Sequence, residues 1–130
     1  MLAVDTNVVV RLLAQDHAEQ TRRAEKLIRE NRIWIGSTVL LETEWVLRDS
    51  YRMTARKIEA VFRSLAGVPT IVLEDEHALA LALGWFAAGM DFGDALHLAC
   101  SVGADEFATF DRKLAAAARR VGATQAVSLV

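Results

Sequence analysis

An α/β fold with a mainly parallel sheet and helices on both of its faces is what this sequence predicts, from three observations. Short runs of β-branched, aliphatic or aromatic residues recur at Leu2–Val4, Ile33-Trp34-Ile35, Thr70–Leu73, Phe107-Ala108-Thr109 and Gln125–Val130. Between successive runs lie amphipathic or Ala/Leu-rich stretches of helical length. Turn and cap residues punctuate the boundaries. Antiparallel neighbours are joined by tight hairpins, whereas a helix-length connection feeds a parallel strand, so the alternation selects crossover topology.

In chain order, Leu2–Val4 reads as a buried strand, and after Thr6-Asn7 a mostly apolar helix covers Val8–Leu13, so a strand hands over to a helix at Asp5. Ala18–Arg32 places Ala24, Leu27 and Ile28 on one stripe with charges elsewhere, an amphipathic helix ending near Asn31. Ile33–Ile35 is the second strand. Ser37 or Thr38 is then expected to cap a helix running to about Ser50, and Thr54 another through Leu65, with Gly67 and the single proline, Pro69, marking its exit. The third strand, Thr70–Leu73, leads to a helix over Glu74–Ala88 that Gly89 closes. Asp91 opens a helix through Val102, ended by Gly103; Phe107–Thr109 is the fourth strand; Asp111 starts a helix to about Val121; Gln125–Val130 is an edge strand. No repeat, linker or low-complexity segment interrupts the chain apart from the Ala-rich last helix.

At 130 residues the expectation is a single domain, 1–130, large enough to bury a core without staples. One cysteine, Cys100, excludes an intramolecular disulfide, and no Cys/His spacing suggests zinc. Cys100 itself reads as core. No apolar run approaches the roughly 20 residues of a membrane span, and the start lacks the pattern of a signal peptide, so a cytoplasmic protein is expected. The net charge of −2 argues against a general nucleic-acid coat, yet the charge is uneven. Residues 1–63 carry 11 basic and 9 acidic side chains, residues 64–110 carry 7 acids and no Lys or Arg, and residues 111–130 carry 4 basic and 1 acidic. Varied surface helices would produce such a pattern. So would a carboxylate pocket rimmed by Arg22, Arg23, Lys26 and Arg29 on one segment and Arg48, Arg52, Arg56 and Lys57 on the next, which suits a polyanion.

Four acids stand at the punctuation points: Asp5, Glu42, Asp94 and Asp111. Each alone has a plainer role. Asp5 can cap a helix, although Thr6 and Asn7 are able to do so and would leave the aspartate pointing past the strand end. Glu42 and Glu44 share a helix and diverge by about 200°, so only one faces a common site, and periodicity leaves the choice open. Asp91 and Asp94 have the spacing of a helix cap and its N3 partner, with Asp94 one methylene shorter than that role prefers; Asp94 is therefore assigned to metal and Asp91 to the cap or an outer position. His97, one turn on, reads as a hydrogen-bonded structural histidine. Asp111 can cap the last helix. Taken together, parallel topology would bring strand ends to one edge, and clustered anions repel unless a cation neutralises them. Mg²⁺ or Mn²⁺ suits oxygen donors, and hydrolysis at phosphorus suits such an ion. No Walker-type phosphate loop, nucleophile elbow or dinucleotide fingerprint is present, and Asn7 stands where an aspartyl-phosphate phosphatase would have its second acid.

Asp5-Thr6-Asn7, Leu40-Leu41-Glu42-Thr43-Glu44-Trp45-Val46-Leu47-Arg48, Asp91-Phe92-Gly93-Asp94-Ala95-Leu96-His97 and Thr109-Phe110-Asp111-Arg112-Lys113 together resemble the PIN domain, and within it the VapC-type toxin ribonucleases. The resemblance spans essentially the whole chain. It implies a three-layer α/β/α sandwich with a four- or five-stranded sheet, and Asp5, Glu42, Asp94 and Asp111 as catalytic, metal-binding acids. Glu42 is preferred over Glu44 because the family's glutamate precedes Trp-Val-Leu-Arg by three residues. Thr6, Asn7, Asp91 and Thr109 become second-shell positions that orient those acids. Also implied are cleavage of single-stranded or loop RNA (tRNA or rRNA) by metal-activated water, a homodimer, and a cognate VapB-like antitoxin whose tail fills a groove. Leu12, Trp45, Val46 and Tyr51 are groove candidates. The alternative from a different class is a non-catalytic PIN-like module that binds RNA or protein.

Overall fold

A computed structural model describes residues 1–130. The chain packs as two compact units, Met1–Glu76 and His77–Val130, each with its own parallel ladder.

The first unit runs β1 (Leu2–Ala3), α1 (Thr6–Ala14), α2 (Ala18–Glu30), β2 (Ile33–Ile35), α3 (Ser37–Asp49), α4 (Ala55–Ala66) and β3 (Ile71–Leu73). Its strands lie in the order β1-β2-β3, with Leu2 opposite Ile33 and Ile33 opposite Ile71, both pairings parallel. Central position explains the composition of β2, whose Ile33 and Ile35 have no exposed surface. The expectation of a buried first strand is corrected: β1 is the edge of this ladder, and Leu2 and Ala3 are exposed. Helix α1 sits against α2 and α3 and sends Val9 and Val10 inward.

Thr54 caps α4 as expected, its hydroxyl accepting from the Lys57 N–H at 3.2 Å. The cap of α3 is a correction, because neither Ser37 nor Thr38 serves. Gly36 occupies the position without a side chain to offer, and the Ser37 N–H donates instead to Glu74 Oε1 at 2.8 Å. Crowding explains the glycine, since a Cβ there would meet the Trp34 ring at 3.2 Å.

The second unit holds α5 (Glu76–Ala87, entered from the last residue of the first unit), α6 (Phe92–Ala99), β4 (Phe107–Thr109), α7 (Arg112–Arg120) and β5 (Val127–Leu129). Helix α5 is apolar on most of its circumference and buries Leu79, Leu83 and Phe86. It ends in a Schellman motif: the Gly89 N–H donates to the Phe86 carbonyl, the Met90 N–H to the Trp85 carbonyl, and Gly89 takes φ +106°, open to glycine and strained for other residues. Met90 is thereby tucked in, and the chain delivers Asp91 to the start of α6. Phe86 and Phe92 meet edge to face at 5.5 Å across this corner. Helix α6 stops at Ala99, earlier than expected, where the Ser101 hydroxyl and N–H both donate to the Leu98 carbonyl. Cys100, expected in the core, is instead exposed at the C-cap. Strands β4 and β5 pair in parallel, Phe107 opposite Val127 and Thr109 opposite Leu129, with Leu114 and Ala118 of α7 buried. Every strand pair in the protein is parallel, as the α/β class predicts, and the five strands form ladders of three and two.

Candidate metal centre

Asp5 leaves β1 with extended backbone and caps α1, its Oδ1 accepting from the Val8 N–H at 3.3 Å. Sequence reasoning had Thr6 and Asn7 doing this work. Thr6 is instead the first helical residue, 8% exposed, and donates its hydroxyl in a short hydrogen bond to Glu42 Oε1 on α3. One residue thus links the end of β1 to Glu42. The cap engages one oxygen of Asp5.

The two glutamates of α3 part company here. Glu44 is 2% exposed and gripped by Arg48 one turn later, Nε to Oε2 at 2.9 Å and Nη2 to Oε1 at 3.5 Å. Glu42 is exposed and faces Thr6. A carboxylate saturated by a guanidinium is a poor donor to a cation, because the ion would have to displace a charge-assisted bond. The structure therefore favours Glu42 as the glutamate open to solution chemistry.

In the second unit, Asp91 is the N-cap of α6, Oδ2 accepting from the Asp94 N–H at 3.1 Å, which is the role sequence assigned to it. Asp94 lies half-buried in the first turn. Burial first, then the neighbouring negative charges of Asp91 and Asp111, holds its carboxyl above the usual aspartate range, with His97 and Lys113 pulling the other way. Asp111 caps α7, Oδ1 accepting from the Leu114 N–H at 3.1 Å, while its own N–H donates to Thr109 Oγ1 at 2.9 Å. Thr109 therefore orients the backbone at Asp111. Three acids of this unit are close enough for two of them to oppose ionisation of the third.

The first unit also has a cleft with basic walls. A cleft of about 510 Å³ opens between α1 and α2, lined by Asn7, Arg11, Gln20 and Arg23 with Val8, Ala24 and Leu27 as its apolar wall. Asn7 thus faces a cavity. Arg22, Lys26 and Arg29 are exposed further along α2, and Arg48, Arg52, Arg56 and Lys57 are exposed on and after α3. Sequence reasoning missed Arg11. It donates to Gln20 Oε1 at 2.6 Å, Tyr51 Oη at 2.9 Å and Asp16 Oδ1 at 3.3 Å, and Tyr51 donates in turn to Asp16 Oδ2 at 2.8 Å. The available signal was a lone arginine amid Val8-Val9-Val10 and Leu12-Leu13, whose guanidinium must find acceptors where the helix packs. Of the groove candidates, Tyr51 is engaged in this network, Leu12 and Val46 are partly covered, and Trp45 is 53% exposed.

No group of three or more His, Cys, Asp or Glu side chains is drawn together tightly enough to form a closed cage. The acids of each unit are nevertheless oxygen donors of the kind a hard divalent cation takes, and Mg²⁺ is commonly held by one or two carboxylates plus water. Crowding at Asp94 is also what a cation would relieve.

Parallel α/β units with carboxylates at the starts of α1, α6 and α7 and one on α3 are the class of protein the fold defines. The PIN domain family model matches residues 2–120, across both units, and the chain belongs to that family. Its coarse function follows: PIN domains are generally nucleases and typically bind divalent metals. Neither the curated proteins nor the solved structures give a significant match.

Proposed function

We propose that this chain is a Mg²⁺- or Mn²⁺-dependent endoribonuclease whose two units work as one domain, and that it is the toxin of a toxin–antitoxin pair. Asp5, Glu42, Asp94 and Asp111 are its metal-binding acids. The observation that carries the reading is the placement of Asp91, Asp94 and Asp111 near one another, on a chain with an acid at each of the four positions. Burial first and then the two neighbouring carboxylates raise the Asp94 carboxyl. The cap roles of Asp91 and Asp111 leave that repulsion in place, and a bound cation would relieve it. Support on the other unit comes from Thr6, which holds Glu42, and from Arg48, which occupies Glu44.

Mg²⁺ or Mn²⁺ bound to these acids would polarise the scissile phosphoryl group, acidify an attacking water and offset charge on the leaving oxygen. The protein's own part is orientation. Helix-cap hydrogen bonds hold one oxygen each of Asp5 and Asp111, Thr6 holds Glu42, and Thr109 holds the backbone at Asp111. Arg11 and Arg23 offer cationic walls along which a phosphate backbone can lie. The substrate is single-stranded or loop RNA of the tRNA or rRNA kind, and the protein works as a cytoplasmic homodimer with a VapB-like antitoxin. No helix is long and apolar enough to cross a membrane.

Purified protein incubated with structured RNA and Mn²⁺ is expected to cut it, leaving 5′-phosphate and 3′-hydroxyl ends. Chelation with EDTA, Asp5→Asn and Asp94→Asn should each abolish cutting. Cleavage indifferent to all three would refute the reading, and metal-free RNA binding without any cleavage would favour a non-catalytic module. A short reading frame beside this one that encodes a DNA-binding partner would test the toxin assignment.

A further inference from the structure

Phe110 is 83% exposed, the most exposed aromatic side chain of the protein, and it stands directly between Thr109 and Asp111. Such exposure forgoes the stabilisation that burying an aromatic ring contributes. It is not the product of a loose loop. Thr109 pairs with Leu129 in the β4–β5 ladder, its carbonyl accepts from the Val130 N–H at 2.8 Å, its hydroxyl accepts from the Asp111 N–H at 2.9 Å, and Asp111 caps α7. The backbone on either side of the ring is thus anchored, and the ring is held out in water.

Its surroundings combine charge with exposed apolar residues at the end of the paired strand, Leu129 and Val130. Ala108, Asp111, Arg112 and Lys113 are exposed beside it, and Lys113 is near enough to Asp94 to influence that carboxyl. An exposed ring on an anchored backbone next to the two cations Arg112 and Lys113 is the combination that binds an unpaired nucleobase by stacking and its phosphate by charge.

We propose that Phe110 is a substrate-binding residue that stacks on an unpaired base of the RNA, with Arg112 and Lys113 taking the adjoining phosphates beside Asp111 and Asp94. This rests on the ribonuclease reading above and deepens it. Recognition here tolerates any base, because every base offers a π-face, and it requires that the base be unpaired.

The test uses the full chain and a short single-stranded 2′-O-methyl oligoribonucleotide, resistant to cleavage, with 2-aminopurine at successive positions. Quenching at one position on binding, lost in Phe110→Ala and Phe110→Leu and retained in Phe110→Trp, is expected, with affinity falling roughly tenfold or more in the first two. In cleavage of an all-ribose substrate the same two variants should raise KM with kcat within a few fold. Because the side chain is exposed, thermal melting of each variant should match the parent. If Phe110→Ala and Phe110→Leu bind and quench like the parent, the stacking role is overturned while cleavage by the parent leaves the nuclease reading standing. If they change oligomeric state and not RNA affinity, the ring is a protein contact and the proposal fails. Absent cleavage by the parent condemns the nuclease reading separately, since quenching needs no turnover.

Discussion

Glu42→Gln and Glu44→Gln should fail in opposite ways. Glu44 is 2% exposed and accepts two hydrogen bonds from Arg48, whose side chain is half exposed. Neutralising Glu44 removes a charge-assisted interaction of about 1.5–3 kcal/mol in full burial. Arg48's access to water screens part of that, leaving about 1–2 kcal/mol. An unfolding entropy of about 2.1 cal/mol/K per residue gives about 270 cal/mol/K for 130 residues. Each kcal/mol then moves Tm by about 4 °C, so Glu44→Gln should melt about 4–8 °C lower while keeping its activity at 25 °C. Glu42 is exposed, and glutamine retains an oxygen that can accept from Thr6, so Glu42→Gln should shift Tm by less than about 2 °C. Its RNA cleavage should nevertheless drop at least about 100-fold, the scale of losing a group that supports the ionic chemistry of the transition state. Calorimetry or fluorimetric melting paired with a fluorogenic RNA assay reads both. An active Glu42→Gln beside a folded, inactive Glu44→Gln would refute the reasoning.

Asp94 predicts a pH-dependent trade. Its carboxyl titrates above the 3.8 of an unperturbed aspartate in the folded chain, so the native state binds the extra proton and stability falls as pH rises from about 3.8 through the raised value. Metal-free Asp94→Asn should therefore melt above the parent at pH 7 and lose that advantage below pH 3.8, whereas equal melting at both would contradict the crowding. Mn²⁺ at ten times its Kd should add about 1.4 kcal/mol, or about 5 °C, to the parent and little to Asp94→Asn, as thermal shift will read. Asp16 is exposed and its carboxyl is held below the usual range chiefly by the Tyr51 hydroxyl, so Tyr51→Phe should bring its NMR titration midpoint back up. That contribution is present above pH 3.8 and is lost below it. Gly89→Ala, forcing a Cβ to φ +106°, should cost about 1–2 kcal/mol and lower Tm by about 4–8 °C; an unchanged melt would mean that the turn re-forms at no cost.

The alternation of short apolar runs with helical stretches was sufficient for the α/β class and for parallel pairing, because hydrophobic period and connection length are local properties of the chain. Spacing alone likewise identified Asp91, Asp111 and Thr54 as caps, since a cap bonds a backbone N–H three residues away. Family resemblance, rather than periodicity, chose Glu42, and packing supplied the physical separation. Only in three dimensions does Arg48 close over Glu44 while Thr6, 36 residues before Glu42, turns its hydroxyl to that carboxylate. The same distance in sequence hid the Ser37–Glu74 cap of α3 and the Arg11–Tyr51 network. Burial was the other quantity that no window of sequence contains. Leu2 reads as core and is an edge residue, Cys100 reads as core and is exposed, and Phe110, given no role by the sequence, is a ring held in water. Residue type determined which groups were able to carry charge or stack; which of them face solvent, and against what, depended on contacts between segments far apart in the chain, and that was decided by the tertiary structure alone.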